Sequence, residues 1–389
     1  MTITLPFIDA DSHIIEPADV WTSRVPARWA ADVPRVERNP DTGRHHWIIG
    51  SEWLWPVGFF GQAGWPEHPP RTPWEYEDVE VSAYDATARL ARMDRDGARC
   101  QVIYPNLIGF QAPLFAGLGT ELSLICTRAY NDFVVEWCAA DPSRLVPVAM
   151  LPFWDVEASV AEMRRCVAAG HKGVLFANNF ERIGLPSFCD TFWDPIYRVA
   201  QELDVPVNFH VGFGSFDMSE LLRETSLAER RDVDAGRPDK ARANTTTILN
   251  QADLMGRMLT SGLCGRFPRL RLVSVECGFG YMPFYLEGLD WHWKAYGNTG
   301  PMLPSDYFRR QCYGTFWFEK TTLPLLKHYP DNFMFSTDYP HGTGLAPGPA
   351  SPAEAPSDHV ESAFAGIDPV LAHKALVSNA AAVYRLNAA

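Results

Sequence analysis

Apolar residues along this chain fall into short runs separated by longer stretches of helical periodicity, and that spacing predicts most of the architecture. Phe7-Ile8-Asp9-Ala10-Asp11-Ser12-His13 reads as a short buried strand with a polar end. Glu16-Pro17-Ala18-Asp19-Val20-Trp21 follows as a helix start, with Pro17 just inside it. From residue 85 the alternation becomes regular. Helical patterns over Ala86 to Asp96, Glu121 to Ala140, Val156 to Ala169 and Trp193 to Leu203 lead into the apolar runs Cys100 to Pro105, Leu145 to Met150, Gly173 to Phe176 and Val205 to His210. Helices near Ile248 to Leu263 and over Met282 to Tyr296 precede the runs Leu270 to Glu276 and Gln311 to Trp317. Phe333 to Asp338 is the eighth such run, and Pro369 to Leu386 closes the chain as a helix. Short apolar strands alternating with helices predict parallel pairing through right-handed crossovers. Eight units favour an α/β fold of the closed (β/α)8 TIM-barrel type over an open doubly wound sheet.

Such a barrel needs about 250 residues, so the 389-residue chain carries a surplus. Residues 33–75 account for much of it. The pattern breaks there into a possible hairpin, His45 to Gly50 with Glu52 to Trp55, amid Pro, Gly and aromatics. We read residues 1–389 as one barrel domain with an aromatic-rich insertion at 33–75, after strand 1 and over the active-site end. Trp53, Trp55, Phe59, Phe60, Trp65 and Trp74 mostly glue it down, and a few line an apolar pocket. Gly342 to Ser357, dominated by Pro, Ala and Gly, predicts a mobile loop over the barrel top.

Charge narrows the partners. Lys and Arg number 34 against 47 Asp and Glu, a net charge of -13, which argues against nucleic acid and against an anionic membrane. No apolar run approaches the ~20 residues of a membrane span, and the N-terminus carries no secretory pattern. The eight scattered cysteines lack any CxxC pair and read as reduced core residues of a cytoplasmic protein.

In such barrels chemistry sits where strands end. Asp11 and His13, two apart, leave the same face of the first strand. The fifth strand ends in His210, the sixth in Glu276, the eighth in Asp338. Each alone has a bland reading: His210 as a satisfied core histidine, Glu276 and Asp338 as helix caps. Together they favour a site for a divalent transition metal, zinc, iron or manganese, as one ion or two. His341, across the Tyr339-Pro340 turn, faces a substrate as a proton shuttle or caps the next loop.

The sequence also resembles the amidohydrolase-related branch of the amidohydrolase superfamily, the group that includes the aminocarboxymuconate semialdehyde and γ-resorcylate decarboxylases. The resemblance runs through Ile8 to His13, Arg89 to Pro105, Ala129 to Asp132, Pro206 to Gly212, Phe267 to Gly280, Ser336 to His341 and Asn379 to Leu386. It implies a distorted barrel in which Asp11 (where many members have His), His13, His210 and Asp338 ligate the metal. It also implies a homodimer as a common arrangement. Two departures stand out. The decarboxylases of the branch have a His where this chain has Glu276, which argues against decarboxylation. The fourth strand ends in Phe176-Ala177-Asn178-Asn179, with no Lys to bridge two metals; Lys172 precedes the strand.

The expectation is therefore hydrolysis of an electrophilic carbonyl (amide, ester, thioester such as an acyl-CoA, or C–C bond) in a small molecule with an apolar or aromatic body. Asp338 orients the metal-activated water and takes its proton, the metal or His210 at its edge polarises the carbonyl, and Glu276 is a ligand or an acid/base. The alternatives are nonoxidative decarboxylation of an aromatic or dienoic acid, with Arg71 as cation for the carboxylate, and an inactive barrel serving as a binding module.

Overall fold

The computed structural model describes residues 5–69, 71–177, 179–213 and 237–387. Eight parallel strands form one sheet: β1 (Phe7–His13), then, after the insertion's β2 (Arg35–Arg38), β3 (His45–Ile49) and β4 (Glu52–Pro56), the strands β5 (Ala98–Tyr104), β6 (Leu145–Met150), β7 (Gly173–Leu175), β8 (Val207–His210), β9 (Leu272–Val275), β10 (Cys312–Phe316) and β11 (Phe333–Phe335). Their order, β1-β5-β6-β7-β8-β9-β10-β11, follows the chain around a nearly closed barrel. Helices stand between successive strands, among them Ala86–Asp96, Thr120–Cys138, Val156–Ala169 and Asp194–Leu203. Their ends follow local chemistry. Asp85 and Asp155 cap the first and third by accepting from Ala88 N and Ala158 N, and Gly97 and Gly170 stop them at φ 82° and 115°.

The barrel closes imperfectly, between β1 and β11. No ladder joins them; Asp338 N donates to Asp11 O (2.9 Å) and His13 N to Tyr339 O (2.6 Å). Below these bonds Phe7 packs edge-on against Phe335 at 5.1 Å. Along β1 the register against β5 slips between Asp9 and Ser12, a local irregularity in the strand that carries two candidate ligands.

In the insertion β2, β3 and β4 make a three-stranded antiparallel sheet, one strand more than the expected hairpin. Trp55 is buried and packs on Phe59 and Phe60. Two local expectations need correction. Residues 18–25 form successive turns, with Val20 N bonded to Pro17 O and Val25 N to Trp21 O, so the helix start expected at Glu16 does not become a helix. Gly342 to Ala355 has no helix or strand, yet Leu345, Ala346 and Ala350 are buried, which corrects the expected mobile loop. Gly344 runs so close to the strand end that a Cβ there would lie 2.5 Å from Asp338 O. All eight cysteines are free and buried. No helix among the described residues is long and apolar enough to cross a membrane.

Candidate metal centre and active site

The tips of β1 and β8 meet inside the barrel mouth. His13 Nδ1 donates to Pro105 O (3.0 Å) and His210 Nδ1 to Val211 O (2.7 Å), so each ring turns a lone pair on Nε2 inward. The two Nε2 atoms are 3.0 Å apart, and Asp11 Oδ1 is 3.5 Å from both. Two imidazole nitrogens bound to one cation at about 2.1 Å each would be separated by about 3 Å at a right angle. Among the described residues, neither carboxylate oxygen of Asp11, nor either of Asp338, has an aligned hydrogen-bond donor, although all four are buried. Buried carboxylates without donors are costly, and a divalent cation relieves that cost. The donor set of two nitrogens and carboxylate oxygens fits a zinc, iron or manganese ion.

Asp338 enters from the far side of the seam. Its Oδ1 is 3.7 Å from His13 Nε2 and 2.8 Å from His341 Nδ1. His341 Nε2 donates to Asn106 Oδ1 at 2.8 Å, because Asn106 Nδ2 is already committed to Ile14 O. His341 also stacks on His13, with ring centroids 4.1 Å apart. Asp11, His13 and His210 thus form one cluster of ligand atoms, and His13, Asp338 and His341 a second that shares His13.

Glu276 belongs to neither cluster. Its Oε2 lies 3.8 Å from His210 Nδ1, on the outer edge of that ring. Burial and then the Asp338 charge push its carboxyl well above the usual range, and burial and the Asp11 charge do the same to Asp338. Both residues hold left-handed backbone, φ 59° at Glu276 and 55° at Asp338, a conformation worth about 1–3 kcal/mol of strain outside glycine. Each is fixed by its main chain: Glu276 N donates to Thr315 Oγ1 (2.7 Å) and Asp338 N to Asp11 O.

Aromatic rings wall the mouth. Phe110 stacks on Phe60 at 4.6 Å and 8°, meets Phe213 edge-on at 4.5 Å, and Phe213 stacks on His210 at 4.4 Å. Arg71, in the insertion, pairs with Glu67 and is half-exposed. Lys172 lies just before β7, at the opposite rim, while Asn178 lies outside the described residues. Residues that the sequence reading passed over include Asp9, Arg89, Gln101 and Asn106, all buried polar groups behind the ligands. Asp9 had a visible signal: with Asp11 and His13 it repeats every second residue along β1.

A barrel whose strand tips bring two imidazoles and two donorless carboxylates together defines a metal-dependent enzyme class. The chain belongs to the amidohydrolase family, whose sequence profile matches residues 8–386. It is similar to the γ-resorcylate decarboxylase of Polaromonas sp. (strain JS666 / ATCC BAA-500), 28% identical over 73% of this chain and 82% of that protein. Among solved structures it resembles an amidohydrolase from Mycobacterium avium subsp. paratuberculosis K-10 (TM-score 0.72, 20% identity, 98% of this chain and 100% of that one). It also resembles a dihydroxybenzoic acid decarboxylase from Polaromonas sp. JS666 with bound manganese and the inhibitor 2-nitroresorcinol (TM-score 0.59, 20% identity, 98% and 97%).

These relatives correct the expectation of carbonyl hydrolysis. Five further curated relatives, 23% to 28% identical, are likewise named decarboxylases. Glu276 does not stand against decarboxylation, because burial and the Asp338 charge push its carboxyl well above the usual carboxylate range, in the direction of the protonated form that donates a hydrogen bond.

Proposed function

We propose that this protein is a divalent-metal-dependent, nonoxidative decarboxylase of an aromatic acid. The observation that carries the metal is the pair of inward lone pairs on His13 and His210, 3.0 Å apart beside the donorless Asp11. The choice of decarboxylation rests on the relatives' names and on the aromatic wall of Phe60, Phe110 and Phe213. Asp11, His13, His210 and Asp338 would hold the cation. When bound, it supplies the positive charge against which an acid's carboxylate and ring oxygens are held.

The chain's own residues then have two tasks. The aromatic wall holds the substrate ring and excludes water, which leaves the carboxylate poorly solvated and favours its loss as neutral carbon dioxide. The bond between ring and carboxyl carbon breaks, its electron pair stays with the ring carbon, and that carbon takes one proton as carbon dioxide leaves. Glu276, whose carboxyl is pushed up towards the protonated form, is the group that holds this proton, while Asp338 as a ligand is ionised. His341, whose Nε2 donates to Asn106, faces Asp338 Oδ1 with its Nδ1 lone pair at 2.8 Å.

The test is product analysis. Manganese-loaded and metal-stripped protein is incubated with 2,6-dihydroxybenzoate, the ligand named in one solved neighbour, and with a panel of other ring-hydroxylated benzoic acids. The expected result is carbon dioxide and the matching phenol from at least one acid, only in the loaded protein. Retention of the carboxyl carbon across the whole panel overturns the reading.

A further inference from the structure

Asp9 is buried on the seam between β1 and β11, and both of its oxygens are saturated. Oδ1 accepts from Thr337 N (2.8 Å) and Asp11 N (3.2 Å), while Oδ2 accepts from Gln101 Nε2 (3.0 Å) and from the Thr337 hydroxyl. Gln101 Oε1 in turn accepts from Arg89 Nη1 at 3.2 Å. The same guanidinium donates to Ser12 Oγ (3.1 Å) and His13 O (2.7 Å), and it covers the Tyr339 ring at 4.6 Å. Asp9, Gln101 and Arg89 therefore grip the main chain or side chains next to Asp11, His13 and Asp338, without reaching their inward-facing ligand atoms.

This unit stands where the barrel is least held by ladder bonds. β1 slips register against β5 between Asp9 and Ser12, and the segment just after β11 meets β1 through an isolated bridge, Ser12 to Tyr339. A seam that needed only packing would be filled more cheaply by apolar side chains than by a buried carboxylate. Hydrogen bonds add what packing lacks, a fixed distance between defined atoms.

We propose that Asp9 is a positioning residue that sets the separation of Asp11 and His13 on one side of the seam from Asp338 on the other, and thereby the affinity for the cation. This rests on the reading of those residues as ligands. The Asp9→Asn variant keeps the shape but points an amide at a donor, because Gln101 is already fixed by Arg89. Thr337→Val removes one hydroxyl donor and leaves the main-chain bond.

The experiment measures Mn(II) affinity of full-length, metal-stripped wild type and both variants by competition with a chromophoric chelator, alongside the melting temperature of each metal-free protein. Asp9→Asn is expected to weaken Mn(II) binding about 10–100-fold, and Thr337→Val to weaken it less, in the same direction. If Asp9→Asn does not fold, Thr337→Val carries the test. Affinities of the folded variants within twofold of wild type overturn the proposal, even where melting temperatures fall, because a merely structural seam moves only the latter. Failure of the wild type itself to bind Mn(II) overturns the reading of the metal centre, and this proposal with it.

Discussion

His13 Nε2 and His210 Nε2 confront each other at 3.0 Å while both Nδ1 atoms donate to main-chain carbonyls, so only a proton or a cation can sit between them. In the metal-free protein that proton belongs to His210. Burial opposes its charge, but the Asp11 carboxylate outweighs burial and lifts its pKa above the ordinary value. His13 goes the other way, pushed down to about 3 by burial and the neighbouring His341. The metal must displace the His210 proton, and that of Asp338 where it is held, so Mn(II) affinity falls as pH drops, by about tenfold per pH unit for each proton displaced. Chelator competition from about pH 5.5 to 8.5 measures this, and a flat profile contradicts it.

Metal loading has a second consequence, for stability. A ligand that binds only the folded state stabilises it by about 2.7 kcal/mol at 100 times its dissociation constant. Thermal melting of stripped protein with and without Mn(II) is expected to differ by a few degrees. His210→Ala removes one inward nitrogen and leaves Asp11 and His13 a poorer pocket, so the shift disappears. A His210→Ala protein that keeps the full shift would place the cation elsewhere.

Glu276 stands beside the ligand clusters rather than in them. Glu276→Gln keeps the size and the hydrogen bond of a protonated carboxyl and cannot release a proton. Metal content per chain is expected to stay at the wild-type level while turnover falls about 10²–10⁴-fold, the usual range for loss of an acid/base group. Loss of one metal equivalent in this variant, read by elemental analysis, would instead make Glu276 a ligand.

The strand tips were legible because β1 and β8 are short apolar runs whose last residues are polar, a pattern that survives without any tertiary information. Leu145–Met150, Val156–Ala169 and Ala86–Asp96 fall where the periodicity puts them, each bounded by a cap or a glycine. What stayed hidden depends on distance along the chain. Asp9 meets Thr337 across 328 residues, and His341 meets Asn106 across 235. No local pattern records such pairs. The upward push on the Glu276 carboxyl was hidden for the same reason, since it arises from burial and from Asp338, which is remote in sequence.

Phe60 brings the insertion into the active site, stacked on Phe110 and 5.3 Å from the His341 ring. Asp11, His13, His210 and Asp338 are fully buried, and among the described residues Phe60, Phe110 and Phe213 are the phenyl rings packed beside them. An aromatic acid seated against Phe60 stacks on it, and ring stacking is worth about 0.5–1.5 kcal/mol beyond area burial. Phe60→Ala is expected to raise KM for an aromatic acid about 2–12-fold with kcat nearly unchanged, because the ring is held alike before and during bond breaking. Gly109 gives the control from the other side. A Cβ there would lie 2.5 Å from the Phe213 ring, which stacks on His210, so Gly109→Ala displaces Phe213 against a ligand. Steady-state kinetics on the two variants separates the roles: Phe60→Ala moves KM, whereas Gly109→Ala lowers kcat and metal affinity together. A Phe60→Ala variant that loses kcat and keeps KM would mean that the insertion shapes the reacting atoms rather than the ring's seat.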